Sequence, residues 1–246
     1  MFSKQIRLFF KKPIFCFLAL MALLLCLVIY FHQTAHNPSA LWHIVAHRCA
    51  KNPEHKPCLA YNRQQDYALL KDIAGKAQVL LIPLQRLHGV ESPALGDPQT
   101  PNYLQSAWEA RNILSKITQH PISDEDVSLS INSQFARSQN QLHIHISCLK
   151  KSVAHQIHDL DPEHLPESII LKGNPYHIHL TDTLQESPFL TLNKEKHFDP
   201  DKMKKETMVV TAAPGKRFYI LTSEVNFLHF NWGSGEMLQE HNCEKD

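Results

Sequence analysis

Every position from residue 14 to residue 31 is apolar or aromatic, and this run of 18 residues carries no charge. A helix through it would reach roughly 27 Å at about 1.5 Å per residue, close to the thickness of a bilayer core. Lys4, Arg7, Lys11 and Lys12 precede the run, and the next Lys or Arg after it is Arg48. That asymmetry predicts one retained N-terminal transmembrane helix at 14–31, with residues 1–13 as a cytoplasmic tail. A cleaved signal peptide fits less well, because no small-residue cleavage site accompanies the run. Residues 32–246 then form the exported domain, with 160–246 as a C-terminal extension of it.

Beyond the run the pattern changes to short elements. Ser39 to Ala50 reads as a helix with Leu41, Ile44 and Val45 on one side. Tyr67 to Lys71 and Gln78 to Pro83 read as strands flanking a turn at Asp72 and Gly75. The stretch from Arg86 to Asn102 holds Pro93, Pro98, Pro101, Gly89 and Gly96, and is too broken for either regular element. Thr100 is the expected cap of a helix whose stripe is Tyr103, Ala107, Ala110, Leu114 and Ile117. Helical spacing of this kind predicts core, and no function attaches to it.

Val127 to Asn132 and Gln141 to Leu149 are strands joined by a polar turn, most simply an antiparallel hairpin. A helix at Ser152 to Leu160 follows, then strands near Tyr176 to Thr181, Met208 to Thr211 and Phe218 to Ser223. The class is α+β with a largely antiparallel sheet and flanking helices.

Composition narrows the partners. Lys and Arg total 25 against 24 Asp and Glu, so no global field recruits nucleic acid. Four cysteines lie beyond the apolar run: Cys49, Cys58, Cys148 and Cys243. Three disulfide connectivities are open to them. The short polar segment between Cys49 and Cys58 suits a local clip, which leaves Cys148 for Cys243. An oxidising compartment such as a periplasm would hold both bonds. Four free thiols, or a metal site at Cys148, are the alternatives; no C-x-x-C pair supports the latter.

The candidate chemistry sits in Gln141-Leu-His143-Ile-His145-Ile-Ser147-Cys148. Alternate residues of a strand share a face, so Leu142, Ile144, Ile146 and Cys148 point one way. Gln141, His143, His145 and Ser147 point the other way, as a row of hydrogen-bonding groups. Two imidazoles cannot be buried cheaply without partners, so this row is expected to face solvent or a pocket. Two further patterns compete. His145-Ile-Ser147 and His179-Leu-Thr181 repeat the H-φ-[S/T] pairing of two-histidine phosphoesterases, φ being apolar. His177 and His179 form a second H-x-H, without a suitably spaced carboxylate to complete a metal site.

The segment Ala136 to Ile146 resembles the signature strand of the histidine-triad superfamily, H-φ-H-φ-H-φ-φ after a short polar turn. Gln141 stands where the first His would be, His143 matches the central His and His145 the third. A register with His145 central and Ser147 third is also open, but the preceding turn aligns without a gap when His143 is central. Asn132, Ser147-Cys148, Glu91-Ser92-Pro93, Thr100-Pro101-Asn102 and Cys243 are similar to the CDP-diacylglycerol pyrophosphatase branch. The resemblance implies hydrolysis of CDP-diacylglycerol to CMP and phosphatidate through a nucleotidyl-histidine on His143. By the same resemblance His145 and Ser138 would donate to phosphate oxygens and Asn132 would hold ribose or phosphate. Gln141 and Ser147 would complete the polar row, and Arg86 would balance charge. No metal and no cofactor is implied. A single-pass inner-membrane protein with its catalytic domain in the periplasm is the expected setting, with pairing into a homodimer open to it. An anchored binding module is the non-catalytic alternative.

Overall fold

The two runs of alternating polarity around the histidines, Val127–Ile131 and Ile144–Leu149, lie side by side near the middle of a ten-stranded sheet. This computed structural model describes residues 16–26 and 37–244. The strands are β1 (Ala60–Asn62), β2 (Tyr67–Lys71), β3 (Val79–Pro83), β4 (Val127–Ile131), β5 (Ile144–Leu149), β6 (Ser168–Leu171), β7 (Asn174–Thr181), β8 (Glu206–Ala213), β9 (Arg217–Glu224) and β10 (Gln239–Glu240). They follow the order β1-β2-β3-β5-β4-β8-β9-β7-β6, and β10 pairs with the far end of β5. Neighbours along this path are antiparallel. The expected hairpins β2–β3 and β4–β5 both form, with Ser130 opposite His145 and Leu80 opposite it on the other side.

One face of the sheet carries the main core. Leu142, Ile144, Ile146 and Cys148 join Val79, Leu81, Leu129 and Val210 there, as their alternation demands. Two helices cover this face, α2 (Tyr103–Glu109) and α3 (Ile113–Thr118), joined by a 3₁₀ turn. Tyr103, Ala107 and Leu114 of the expected stripe are buried in the core, with Ala110 and Ile117 packed at its edge. The cap is Asn102, whose side chain accepts from the Gln105 N–H at 3.1 Å, while Thr100 donates to the Ala94 carbonyl instead.

The opposite face is divided. On β2 and β3 an apolar cluster of Ala68, Leu70, Leu80 and Ile82 is covered by Leu41 and Val45. Those two belong to a short helix, α1 (Ala40–His43), that continues as a π-helical turn. On β7, β8 and β9 a second cluster of Tyr176, Ile178, Val209 and Leu221 is covered by α4 (Lys151–His158) and Leu238. Between these wings lies a polar strip: Ser128 and Ser130 of β4 beside His145 and Ser147 of β5. The strip is not open to water, because the segment 233–241 closes over it. Gln239 donates to the carbonyls of Ser128 and His145 and accepts from Ser130. Of the two expectations for this row, solvent-facing or pocket-facing, the open solvent face does not form, because His143, His145 and Ser147 are buried.

The transmembrane part of the expected fold class is corrected. Among the described residues no helix is long and apolar enough to cross a membrane. The only described helix within the apolar run covers residues 16–26. At about 1.5 Å per residue that is roughly 16 Å, half of what a hydrocarbon core needs. The rest of the run, and the cytoplasmic tail expected at 1–13, lie outside the described residues. The chain divides into one unit at Met1–Pro38 and another at Ser39–Asp246.

Both disulfides form, Cys49–Cys58 and Cys148–Cys243. The second bond excludes Cys148 as a metal ligand and ties β5 to the chain's end. Its cysteines are 95 residues apart, the longer closed loop of the two. Replacing Cys243 by Ser should lower unfolding free energy by about 2–5 kcal/mol, read as a shift of the denaturant midpoint. The same change at Cys58 should cost less, because that loop is short; equal losses would contradict a loop-entropy origin.

Candidate active site

His143 ends the polar turn before β5, and His145 is the second residue of the strand. Their rings meet edge to face with centroids 4.8 Å apart. Both are buried, at 8% and 4% exposure. The His143 Nδ1 lies 2.7 Å from the Gln141 carbonyl oxygen. A carbonyl oxygen carries no proton, so Nδ1 must donate and the lone pair is left on Nε2. That Nε2 makes no hydrogen bond among the described residues. Burial lowers the His143 pKa from 6.5, with the Arg137 cation acting in the same direction. The Gln141 hydrogen bond and the Glu236 and Asp72 carboxylates oppose that shift without reversing it. The site therefore presents a neutral imidazole whose free nitrogen is oriented by the backbone.

His145 is held from the other side. Its Nδ1 lies 2.6 Å from Gln78 Nε2, which also stands 3.0 Å from Asp72 Oδ2 and 3.0 Å from Glu236 Oε1. The Gln78 amide has two protons for these three neighbours, and Glu236 Oε1 lies 3.2 Å from the same His145 Nδ1, so the contacts accommodate the His145 proton on either ring nitrogen. The other ring nitrogen, Nε2, is buried and unpaired. Glu236 at 3.2 Å and Asp72 at 3.9 Å would favour an imidazolium. Burial outweighs them, and the neighbouring His143 and His241 add to it, so the His145 pKa falls well below 6.5. An orphaned buried polar atom costs about 1–3 kcal/mol.

Asp72, His145 and Glu236 also offer three atoms close enough together to hold a cation. The Gln78 amide nitrogen stands among them, 2.6–3.0 Å from each, with two protons to offer. Asn132 secures Glu236 by donating to Oε2 at 2.6 Å, and its own oxygen lies 3.3 Å from the Ser234 hydroxyl. Arg137 forms a two-pronged ion pair with Glu91, both contacts at 2.6 Å, and its Nε is buried without a partner. Gly89 allows this approach, since a Cβ there would come within 2.0 Å of Arg137 Nη1.

The expected site residues thus divide. His143, His145 and Asn132 come together. Gln141 lies beside them, but its amide donates to the Pro83 and Gln85 carbonyls and fastens a loop. The Ser147 hydroxyl is held by the Ala77 and Glu240 carbonyls, at the rear of the strip. Ser138 is exposed on the turn. Arg86 is exposed too, donating to Ser39 and stacked 5.3 Å from the Trp42 ring centroid. Sequence reasoning missed Asp72, Gln78, Glu236 and Arg137; only Arg137, inside the quoted turn, lay near a visible motif. The two-histidine pairing fails on distance, because β7 is four strands from β5. That separation places His179 about 19 Å from His145, beyond sharing one phosphate.

The family model of the CDP-diacylglycerol pyrophosphatases matches residues 36–246. The chain belongs to that family. It is a hydrolase, and the activity that membership supplies is cleavage of CDP-diacylglycerol. In this pyrophosphatase the matched region contains both histidines, all four disulfide cysteines and the covering segment 233–241.

Gln78 is the test of the buried network. Gln78→Leu removes the shared amide and leaves two carboxylates and His145 Nδ1 without it. Stability should fall by about 1–3 kcal/mol in urea denaturation, and pyrophosphatase turnover should fall with it. An unchanged midpoint and rate would contradict the bridging role.

Proposed function

We propose that the pyrophosphatase works through a covalent nucleotidyl-histidine on His143. The reading rests on one observation: His143 Nδ1 is committed to the Gln141 carbonyl, which leaves the Nε2 lone pair of a neutral imidazole as the nucleophile. Nε2 forms a bond to the cytidine-side phosphorus, and the bond from that phosphorus to the bridging oxygen breaks. Phosphatidate departs with the bridging oxygen and the bonding electron pair. Water then attacks the phosphorus, the N–P bond breaks, and CMP leaves while the proton from water passes to the site or solvent. The spacing Gln141-x-His143-x-His145 supports a histidine-triad-like register with His143 central.

The other groups act electrostatically. The Arg137 Nε–H is a buried donor without a protein acceptor and His145 Nε2 a buried unpaired ring nitrogen; with its proton on Nε2, His145 joins Arg137 in donating to phosphate oxygens whose charge redistributes in the transition state. Asn132 works through Glu236 by fixing its carboxylate. Two disulfides support an oxidising compartment, such as a periplasm, as the place where the domain operates. The anchor and homodimer expected from sequence form no part of this reading.

His143→Ala should abolish CMP release and leave no nucleotide bound after acid quench, whereas His145→Ala should lower the rate by about 10²–10³ and still trap label. Trapping that survives in His143→Ala and disappears in His145→Ala would move the nucleophile to the other histidine of the H-x-H.

The pH profile gives a second check. A depressed pKa keeps His143 neutral as pH falls through 6.5. The acid limb of kcat/KM should therefore lie below that ordinary histidine value, and a limb above it would count against a buried neutral nucleophile.

A further inference from the structure

The loop that follows β9 exposes large apolar side chains beside the site. Phe135, Phe227, Leu228, Phe230 and Trp232 are between 40% and 89% exposed. The Phe227 ring centroid lies 5.3 Å from that of Phe135 and 5.1 Å from that of Trp232, so the three rings form one surface. No Asp, Glu, Lys or Arg occurs from Val225 to Gly235. Apolar groups clustered in this way mark an interaction surface rather than scattered exposure.

The projection is braced. Asn226 and Asn231 exchange backbone hydrogen bonds of 2.8 and 3.0 Å, and the Asn231 amide donates to Ser223 Oγ and the Glu224 carbonyl. Its base is tied to the catalytic strip. Ser133 donates through its N–H to the Gly233 carbonyl at 2.8 Å and through Oγ to the Trp232 carbonyl at 2.7 Å. One residue before Ser133, Asn132 holds Glu236, whose Oε1 is 3.2 Å from His145 Nδ1.

The substrate's chemistry identifies the partner. A liponucleotide must bring its diphosphate to His143 while its two acyl chains stay in the bilayer, so the surface adjoining the site has to meet lipid. Trp and Phe without neighbouring charge are residues that settle at a membrane interface. We propose that the Phe227–Trp232 loop, with Phe135, inserts into the interfacial layer of the bilayer holding the substrate and sets His143 against the head group. The proposal rests on the hydrolase reading for its choice of partner. A second copy of the chain seated on this patch would crowd the same entrance that the lipid needs.

The test uses the full-length chain reconstituted in phosphatidylcholine vesicles. With bromine-labelled acyl chains, Trp232 emission should be quenched, and the quenched component should disappear in Trp232→Phe. Leu228→Ser/Phe230→Ser should lower CMP release from long-chain CDP-diacylglycerol in vesicles by about tenfold or more. Hydrolysis of a short-chain, monomeric analogue should stay within about twofold of the parent, because the changed side chains are exposed. All variants share the apolar N-terminal run, so differences report on the loop. Absent Trp232 quenching, equal losses on both substrates, or a loss that tracks a change in oligomeric state by light scattering would overturn the proposal. If the parent cuts neither substrate the hydrolase reading fails, while the quenching still decides whether the loop enters lipid.

Discussion

Both faces of β5 are buried, and the rest of the site follows from how its polar face tolerates that. An apolar face needs only complementary shape. A face of two imidazoles and a hydroxyl needs a partner for every donor and acceptor, or it loses more than packing returns. The protein meets the demand with backbone carbonyls at Gln141, Ala77 and Glu240 and with side chains at Gln78 and Gln239. Around the histidines the buried side-chain atoms left without a partner are His145 Nε2, Arg137 Nε, Gln78 Oε1 and Gln141 Oε1.

This arrangement accounts for a sheet face that is apolar at both wings and polar at its centre. The wings are covered by short helices, which need apolar contact alone. The centre is covered by an irregular segment, 233–241, which can deliver Glu236, Gln239 and β10 to three different places along one strand. A helix would have presented side chains at fixed intervals and could not have matched the two-residue repeat of β5. The Cys148–Cys243 bond then holds the end of that segment against the strand it covers.

Electrostatically the two histidines are set apart by their partners. A backbone carbonyl gives His143 a free lone pair on Nε2, whereas His145 Nδ1 faces the Gln78 amide and the Glu236 carboxylate. Low basicity at both follows from burial, which keeps the pair neutral although two carboxylates stand nearby.

The sequence by itself determined what is local. Period-two alternation assigned Leu142, Ile144, Ile146 and Cys148 to the core and grouped His143 with His145. Strand runs separated by turn residues marked the hairpins β2–β3 and β4–β5, and the short segment between Cys49 and Cys58 favoured a local clip while leaving the connectivity open. The terminal apolar run was legible too, yet the described helix there is too short to span a bilayer. Tertiary structure alone decided the partners of the imidazoles. Gln78 is 67 residues from His145 and 158 from Glu236, and Arg137 is 46 from Glu91. Such pairs share no helix or strand period, so no spacing along the chain marks them. They meet because strand order and chain closure bring distant segments to one polar strip, where unpaired burial would be too costly to persist.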